Sequence, residues 1–189
     1  MTVIDRLEID ISRQTLRSFA AGREQQCYRV STARNGAGEM MDSERTPRGA
    51  HEIAEKIGAG CAANTVFVAR RPTGEIFDAE LAARFPGRDW ILTRILWLAG
   101  RDHGYNSGGE RDTKARYIYI HGTPDSTALG VPGSRGCIRM RNADIVELFE
   151  AVSVGTLVDI IAQRRPRRGV SSRARGGRCE IRSTVCPCV

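Results

Sequence analysis

The stretch RYIYIHGT, residues 116–123, decides the fold class of this chain. Its first five positions are rich in β-branched and aromatic residues, which is typical of a strand, and the strand ends in a polar His-Gly-Thr. Short apolar or alternating runs of the same kind recur along the chain and predict further strands. They lie at residues 7–11, 15–19, 27–31, 51–57, 65–70, 90–98 and 156–161.

One segment has the period of a helix instead of a strand. It begins at Asn142, which can cap a first turn, and Asp144 complements the positive end of the helix dipole. Apolar residues follow at helical spacing, namely Ile145, Leu148, Phe149 and Val152. We therefore expect a mainly β domain, either a sandwich or a barrel, with one clear helix.

The positive charge of the chain is concentrated at one end. The whole sequence carries +7, but eight arginines and a single acid lie after Ala162, which leaves 21 basic and 21 acidic residues before that point. We predict a neutral domain over residues 1–162 and a basic, disordered tail over residues 163–189, because the tail lacks the apolar residues of a core. Such a tail can attract polyanions without sequence specificity, so no specific nucleic-acid partner is expected.

Neither a membrane span nor an export signal is expected from the sequence. No run approaches the ~20 apolar residues that cross a bilayer, and residues 1–10 contain acids where a secretory signal has an apolar stretch.

The segment from Ser134 to Arg139, SRGCIR, is the best candidate for chemistry. Gly136 removes a side chain just before Cys137, so a substrate can approach the backbone closely, and amides of such a turn can bind an oxyanion. A thiol needs a base or a positive neighbour to become a good nucleophile. Arg135 and Arg139 flank Cys137, and His121 at the end of its strand is the best available base. The competing interpretation is that Cys137 is a small buried hydrophobe.

We expect neither a metal site nor a cofactor. His51 begins His-Glu-Ile-Ala-Glu, which lacks the second histidine of the His-Glu-x-x-His zinc signature. His103 lies in a polar loop, where exposure is the usual state. The three cysteines after residue 178 do not provide the four ligands of a zinc site, and six cysteines spread in this way do not form a disulfide framework.

Three motifs together resemble one known family. They are His121-Gly-Thr-Pro, Leu129-Gly-Val-Pro and Ser134-Arg-Gly-Cys-Ile-Arg-Met140. This pattern is similar to the signature of the L,D-transpeptidase catalytic domain, the YkuD-like family, and the resemblance covers about Leu7 to Ile160. It implies a β-sandwich of short strands with the helix following the cysteine turn.

The resemblance also implies a role for each residue of the motif. Cys137 becomes the nucleophile, His121 the general base, the Gly122 carbonyl the group that orients His121, and Gly136 an oxyanion amide. Substrate-binding positions would be Ser134, Arg135 and Arg139. Many family members have histidine where this chain has Arg135, which bears on substrate contacts more than on the chemistry.

The implied activity is that of a peptidoglycan L,D-transpeptidase, a cysteine acyltransferase of cell-wall biogenesis. Its partners would be peptidoglycan stem peptides, and carbapenem β-lactams would be inhibitors. Two other functions share the sequence evidence: an L,D-carboxypeptidase or amidase, in which water resolves the same acyl-enzyme, and a non-catalytic module that binds wall polymers or polyanions. The substrate predicts a periplasmic or cell-envelope location, while the absent signal leaves a cytoplasmic one open.

Overall fold

The computed structural model describes residues 3–162, which form ten strands and two α-helices. The predicted tail, residues 163–189, lies outside this range. The strands are β1 (Arg6–Asp10), β2 (Thr15–Ala20), β3 (Arg23–Arg29), β4 (Gly49–Ile57), β5 (Thr65–Val68), β6 (Arg71–Ile76), β7 (Ile91–Gly100), β8 (Tyr119–Thr123), β9 (Ile138–Arg141) and β10 (Leu157–Ile161). The helices are α1 (Ala79–Arg84) and α2 (Asn142–Ala151), and a 3₁₀ turn spans Gly109–Arg111.

The ten strands belong to a single curled sheet. Its main path runs β3-β2-β1-β10-β4-β7-β5-β6, while β8 pairs with β7 and β9 pairs with β8. Two pairs are parallel, β1 with β10 and β8 with β9, and the others are antiparallel. The parallel pair β8–β9 is joined through residues 124–137, and that connection carries the motif containing the cysteine.

The core lies between the curled sheet and α2. This helix packs against β7, β8 and β9 and buries the apolar residues that its sequence period predicts, Ile145, Leu148 and Phe149. Strand residues complete the same cluster, among them Leu7, Ile9, Leu96, Leu98, Ile120, Ile138 and Val158. The prediction of a mainly β fold with one main helix after the cysteine turn is confirmed.

Local details differ from the sequence prediction for physical reasons. The short helix α1 was not predicted, because six residues are too few to show a period; Asp78 caps it by accepting a hydrogen bond from the Leu81 amide at 2.7 Å. Strand β8 begins at Tyr119 because Tyr117 adopts a positive φ of 57°. The cap of α2 is Arg141 rather than Asn142, whose side chain is buried and bonds elsewhere.

No helix within residues 3–162 is long and apolar enough to cross a membrane.

Candidate active site

The parallel pairing of β8 and β9 brings His121 and Cys137 onto one face of the sheet. Ile120 is paired with Ile138, so by extension of the register Cys137 stands opposite Tyr119, two residues before His121. Because alternate residues of a strand share a face, the thiol and the imidazole lie on the same side. The two residues are 16 positions apart in sequence, and the fold makes them diagonal neighbours.

The sulfur of Cys137 is held by backbone groups at the start of β8. The Tyr119 amide donates to Sγ at 3.4 Å, and the thiol donates to the Tyr117 carbonyl at 3.4 Å. Among residues 3–162 these are its hydrogen bonds, and none joins Sγ to the His121 ring. The thiol thus rests against the backbone at the start of β8.

His121 is buried, with 1% of its surface exposed. Its Nδ1 lies 2.8 Å from the Gly122 carbonyl oxygen, so Nδ1 carries the proton and Nε2 has the free lone pair. Burial lowers the pKa of His121, and this outweighs the Gly122 hydrogen bond and the charge of Asp89, which act to raise it. The imidazole is therefore neutral at neutral pH and can accept a proton.

Cys137 is partly exposed, and its environment favours the neutral thiol. Burial raises the pKa of Cys137, and the Asp89 carboxylate raises it further. The Tyr119 amide and the guanidinium groups of Arg139 and Arg116 act in the opposite direction. At neutral pH the thiol and the imidazole are consequently both in their neutral forms.

The turn before Cys137 is fixed by hydrogen bonds. Ser134 Oγ donates to the Cys137 carbonyl at 2.6 Å and accepts from the Gly136 amide at 3.1 Å. Thr46 Oγ1 donates to the Gly136 carbonyl at 2.9 Å. Gly136 has φ 133°, which favours glycine, and a Cβ there would lie 3.0 Å from Ile118 Cδ1, so the Ile118 side chain would have to shift. In this state the Gly136 amide bonds Ser134, and the buried Ser134 shapes the turn.

A bulge in β7 lies opposite His121 and Gly122. The β7–β8 register shifts between Leu92 and Ile95, and Thr93 within the shift has φ 70°, an unusual conformation for a β-branched residue. Bulges and strained residues are frequent beside active sites. A Cβ on Gly122 would lie 2.7 Å from the Leu92 carbonyl oxygen, which explains why glycine follows the histidine.

The Asn142 side chain connects three segments beside His121 by hydrogen bonds, a role that its position at the start of a helix does not indicate. Its Oδ1 accepts from Thr93 Oγ1 at 2.6 Å, while its Nδ2 donates to Asn64 Oδ1 at 2.8 Å and to the Thr123 carbonyl at 3.0 Å. The side chain thereby joins the β7 bulge, the loop before β5 and the end of β8. An asparagine before an apolar helical period predicts a helix cap, and the same residue instead makes the hydrogen bonds that connect these three segments.

A polar cleft of about 330 Å³ lies beside the cysteine turn. Arg139 lies at the wall of this cleft and forms an ion pair with Asp89 at 2.7 Å. The Arg135 side chain is 70% exposed, and its contact with Glu44 is long, at 3.9 Å. Sequence reasoning missed Asp89, which sits in a loop with no distinguishing pattern. The cleft is lined by Arg34, Asn35, Glu44, Gly87, Arg88, Asp89, Trp90, Thr123, Pro124, Thr127, Gly133, Ser134, Arg135 and Arg139.

The other two histidines stand apart from this chemistry. His51 is buried in the fold, with Nδ1 2.9 Å from the Gly49 carbonyl and Nε2 3.1 Å from Thr113 Oγ1, so both ring nitrogens have partners. His103 lies at the surface in the loop between β7 and β8. Across residues 3–162 no three His, Cys, Asp or Glu side chains converge as a metal site would require.

Comparisons with known proteins agree with the motif. A sequence model of the L,D-transpeptidase catalytic domain, YkuD, matches residues 4–160. The chain is 52% identical over 48 residues to the probable L,D-transpeptidase ErfK/SrfK of Escherichia coli, which covers 25% of this chain and only 16% of that relative.

A solved structure of an L,D-transpeptidase has a similar fold. L,D-transpeptidase 3 from Mycobacterium tuberculosis is similar with a TM-score of 0.52 at 16% identity, over 82% of this chain and 60% of that one. The L,D-transpeptidase LdtMt1 in complex with imipenem has a TM-score of 0.47 at 18% identity, over 82% and 58% of the two chains. Because the family match extends over nearly all of the described residues, the chain belongs to the L,D-transpeptidase catalytic-domain family.

Proposed function

We propose that the protein is a peptidoglycan L,D-transpeptidase in which Cys137 is the nucleophile and His121 is its base. The observation that supports this most directly is the tautomer of His121: Nδ1 is bonded to the Gly122 carbonyl at 2.8 Å. This leaves Nε2 to take a proton on the face that Cys137 shares. A cysteine with a neutral histidine as base is the arrangement that acyl transfer by covalent catalysis requires.

In the first half-reaction the thiol proton passes to His121 Nε2 as sulfur attacks the carbonyl of the third residue of a tetrapeptide stem. The oxyanion would be stabilised by amides of the cysteine turn; for Gly136 this means exchanging its hydrogen bond to Ser134 Oγ for one to the substrate. The imidazolium then protonates the leaving nitrogen. D-Alanine departs, and a thioester to Cys137 remains.

In the second half-reaction an amine of a neighbouring stem attacks the thioester, and His121 accepts its proton. The new amide bond forms as the carbon–sulfur bond breaks, and His121 returns the proton to sulfur, so that Cys137 is again a neutral thiol. Arg135 and Arg139, at the wall of the cleft, are proposed to contact carboxylates of the stem peptides, and Ser134 to contribute by holding the turn. Because this substrate lies outside the cytoplasmic membrane, we place the enzyme in the periplasm or cell envelope.

The test is incubation of the full-length protein with purified muropeptides, followed by mass analysis of the products. Cross-linked dimers with loss of D-alanine support the transpeptidase; trimmed monomers alone support an L,D-carboxypeptidase. Cys137→Ala should abolish both products. Cys61→Ala is the matched control, because Cys61 and Cys137 are the free cysteines of the described chain.

A second measurement tests the nucleophile without any wall substrate. The strained carbonyl of a carbapenem is an acyl donor to a thiolate, so we expect the intact mass of the protein to increase by one carbapenem. Cys61→Ala should label fully and Cys137→Ala should not. Full labelling of the Cys137→Ala protein would overturn the assignment, and a non-catalytic binding module would show no labelling of either form.

A further inference from the structure

Arg116 is a partly buried cation that joins two loops beside the cysteine turn. Its Nη1 donates to the Gly38 carbonyl at 3.2 Å, and its Nη2 donates to Ser43 Oγ at 3.3 Å and to the Arg45 carbonyl at 2.6 Å. All three acceptors belong to residues 36–46, here called the support loop. Arg116 itself lies directly before Tyr117, whose carbonyl accepts the Cys137 thiol.

The support loop packs directly on the cysteine turn. Thr46 Oγ1 donates to the Gly136 carbonyl at 2.9 Å. The carbonyl oxygen of Arg45, which accepts from Arg116, lies 3.5 Å from where a Cβ on Gly136 would be. A continuous set of contacts therefore runs from the Arg116 guanidinium through the support loop to the residue before Cys137.

The positive charge of Arg116 also lowers the pKa of the Cys137 thiol. Arg116 and Arg139 both lower the pKa of Cys137, but Arg139 is neutralised by Asp89 at 2.7 Å. Arg116 has neutral acceptors and makes no ion pair within residues 3–162. Arg139 nevertheless has the larger effect of the two on the pKa of Cys137, and Arg116 adds to it a second positive charge.

The other titratable groups near Cys137 and Arg116 do not supply a positive charge to the sulfur. His121 and Tyr119 face Cys137 and are neutral at neutral pH, since burial lowers the pKa of His121 and raises that of Tyr119. On the Arg116 side, Glu39 is held by Arg48 at 2.7 and 3.0 Å. Asp42 raises the pKa of Arg116 but is exposed to solvent. Arg116 lowers the pKa of His51, and His51 is neutral because burial lowers that pKa to about 4.

We propose that Arg116 is a positioning residue for the reaction: its hydrogen bonds hold the support loop against the Gly136–Cys137 turn, and its charge stabilises the Cys137 thiolate. The proposal rests on the proposed role of Cys137 as nucleophile. It is tested by alkylation and exchange, which do not depend on transpeptidase turnover, so its failure is distinguishable from failure of the proposed function.

The first experiment measures the rate of iodoacetamide alkylation of Cys137 against pH, by mass spectrometry of the peptide that contains it. Below the thiol pKa the rate increases tenfold per pH unit, so loss of a nearby positive charge appears as a uniform decrease. We expect Arg116→Gln to lower the rate by about tenfold, the low end of the effect that a nearby opposite charge has on a pKa, and Arg116→Lys to stay within about threefold of wild type. Arg23→Gln, which removes an exposed charge on β3, should leave the rate unchanged.

The second experiment measures hydrogen–deuterium exchange of the support loop. Lysine keeps the charge but cannot reach the three acceptors in the fork geometry of arginine. Arg116→Lys should therefore speed exchange of the Gly38 and Thr46 amides, whereas Arg23→Gln should not. A wild-type alkylation profile in folded Arg116→Gln would overturn the proposal. If Arg116→Gln does not fold, Arg116→Lys decides: unchanged exchange, or an alkylation rate lowered as much as tenfold with the charge retained, would overturn it.

Discussion

The side chain of Asn142 should contribute more to the stability of the domain than a helix cap does, because its hydrogen bonds connect the β7 bulge, the loop before β5 and the end of β8. The change to test is Asn142→Ala, which removes hydrogen bonds to Thr93 Oγ1, Asn64 Oδ1 and the Thr123 carbonyl at 2.6, 2.8 and 3.0 Å. Asn142 is 9% exposed, so water cannot readily replace these bonds.

The expected cost follows from the three bonds. Each buried hydrogen bond contributes about 1 kcal/mol net, so the free energy of unfolding should fall by about 3 kcal/mol. For a domain of this size each kcal/mol shifts the melting temperature by about 2–4 °C, which predicts a decrease of roughly 6–12 °C. The loss also loosens the β7 bulge opposite His121, so carbapenem acylation of Cys137 should slow, by up to about 10²-fold for a displacement near 1 Å.

Thermal unfolding and the acylation rate test this prediction together. The matched control is Asn35→Ala, since Asn35 is exposed and its amide makes one long hydrogen bond of 3.4 Å to the Ser43 carbonyl. We expect that control to change stability by no more than about 0.5 kcal/mol. A melting temperature for Asn142→Ala within 2 °C of the Asn35→Ala value would refute the reasoning, because it would mean that the three buried bonds contribute nothing net.

Three further outcomes are expected. Replacing His121 with alanine should slow acylation by about 10²–10⁴-fold, the scale of a positioned general base, whereas the exposed His103→Ala should react at the wild-type rate; equal rates would exclude the assigned base. Gly136→Ala should lower the free energy of unfolding by about 1–3 kcal/mol from backbone strain, as measured by denaturant titration. The loss should exceed that of Gly155→Ala, because both glycines have a positive φ but only at Gly136 would a Cβ meet a close neighbour, Ile118; no loss for Gly136→Ala would contradict the strained turn. Truncation after Ala162 should leave the melting temperature and Cys137 labelling unchanged but remove most salt-sensitive binding to polyanions, and a reductant-sensitive loss of several degrees would show that the tail is structural.

Much of the fold could be predicted because its signals are local. The strand before His121 is recognisable from its β-branched and aromatic residues, and α2 from the spacing of Ile145, Leu148 and Phe149. The short helix α1 gave no such signal, and the start of β8 was placed three residues early because composition does not reveal the positive φ of Tyr117.

The sequence by itself determined the family, the candidate nucleophile and the candidate base, because Cys137 and His121 lie in short motifs whose residues follow one another along the chain. It also located the excess positive charge after Ala162, since counting charges needs no structure. Only the tertiary structure decided what surrounds the thiol. Asp89 and Arg116 reach the site from separate loops, and Asn142 from the first residue of α2. Contacts between residues far apart in sequence depend on the curl and register of the sheet, which no local pattern encodes.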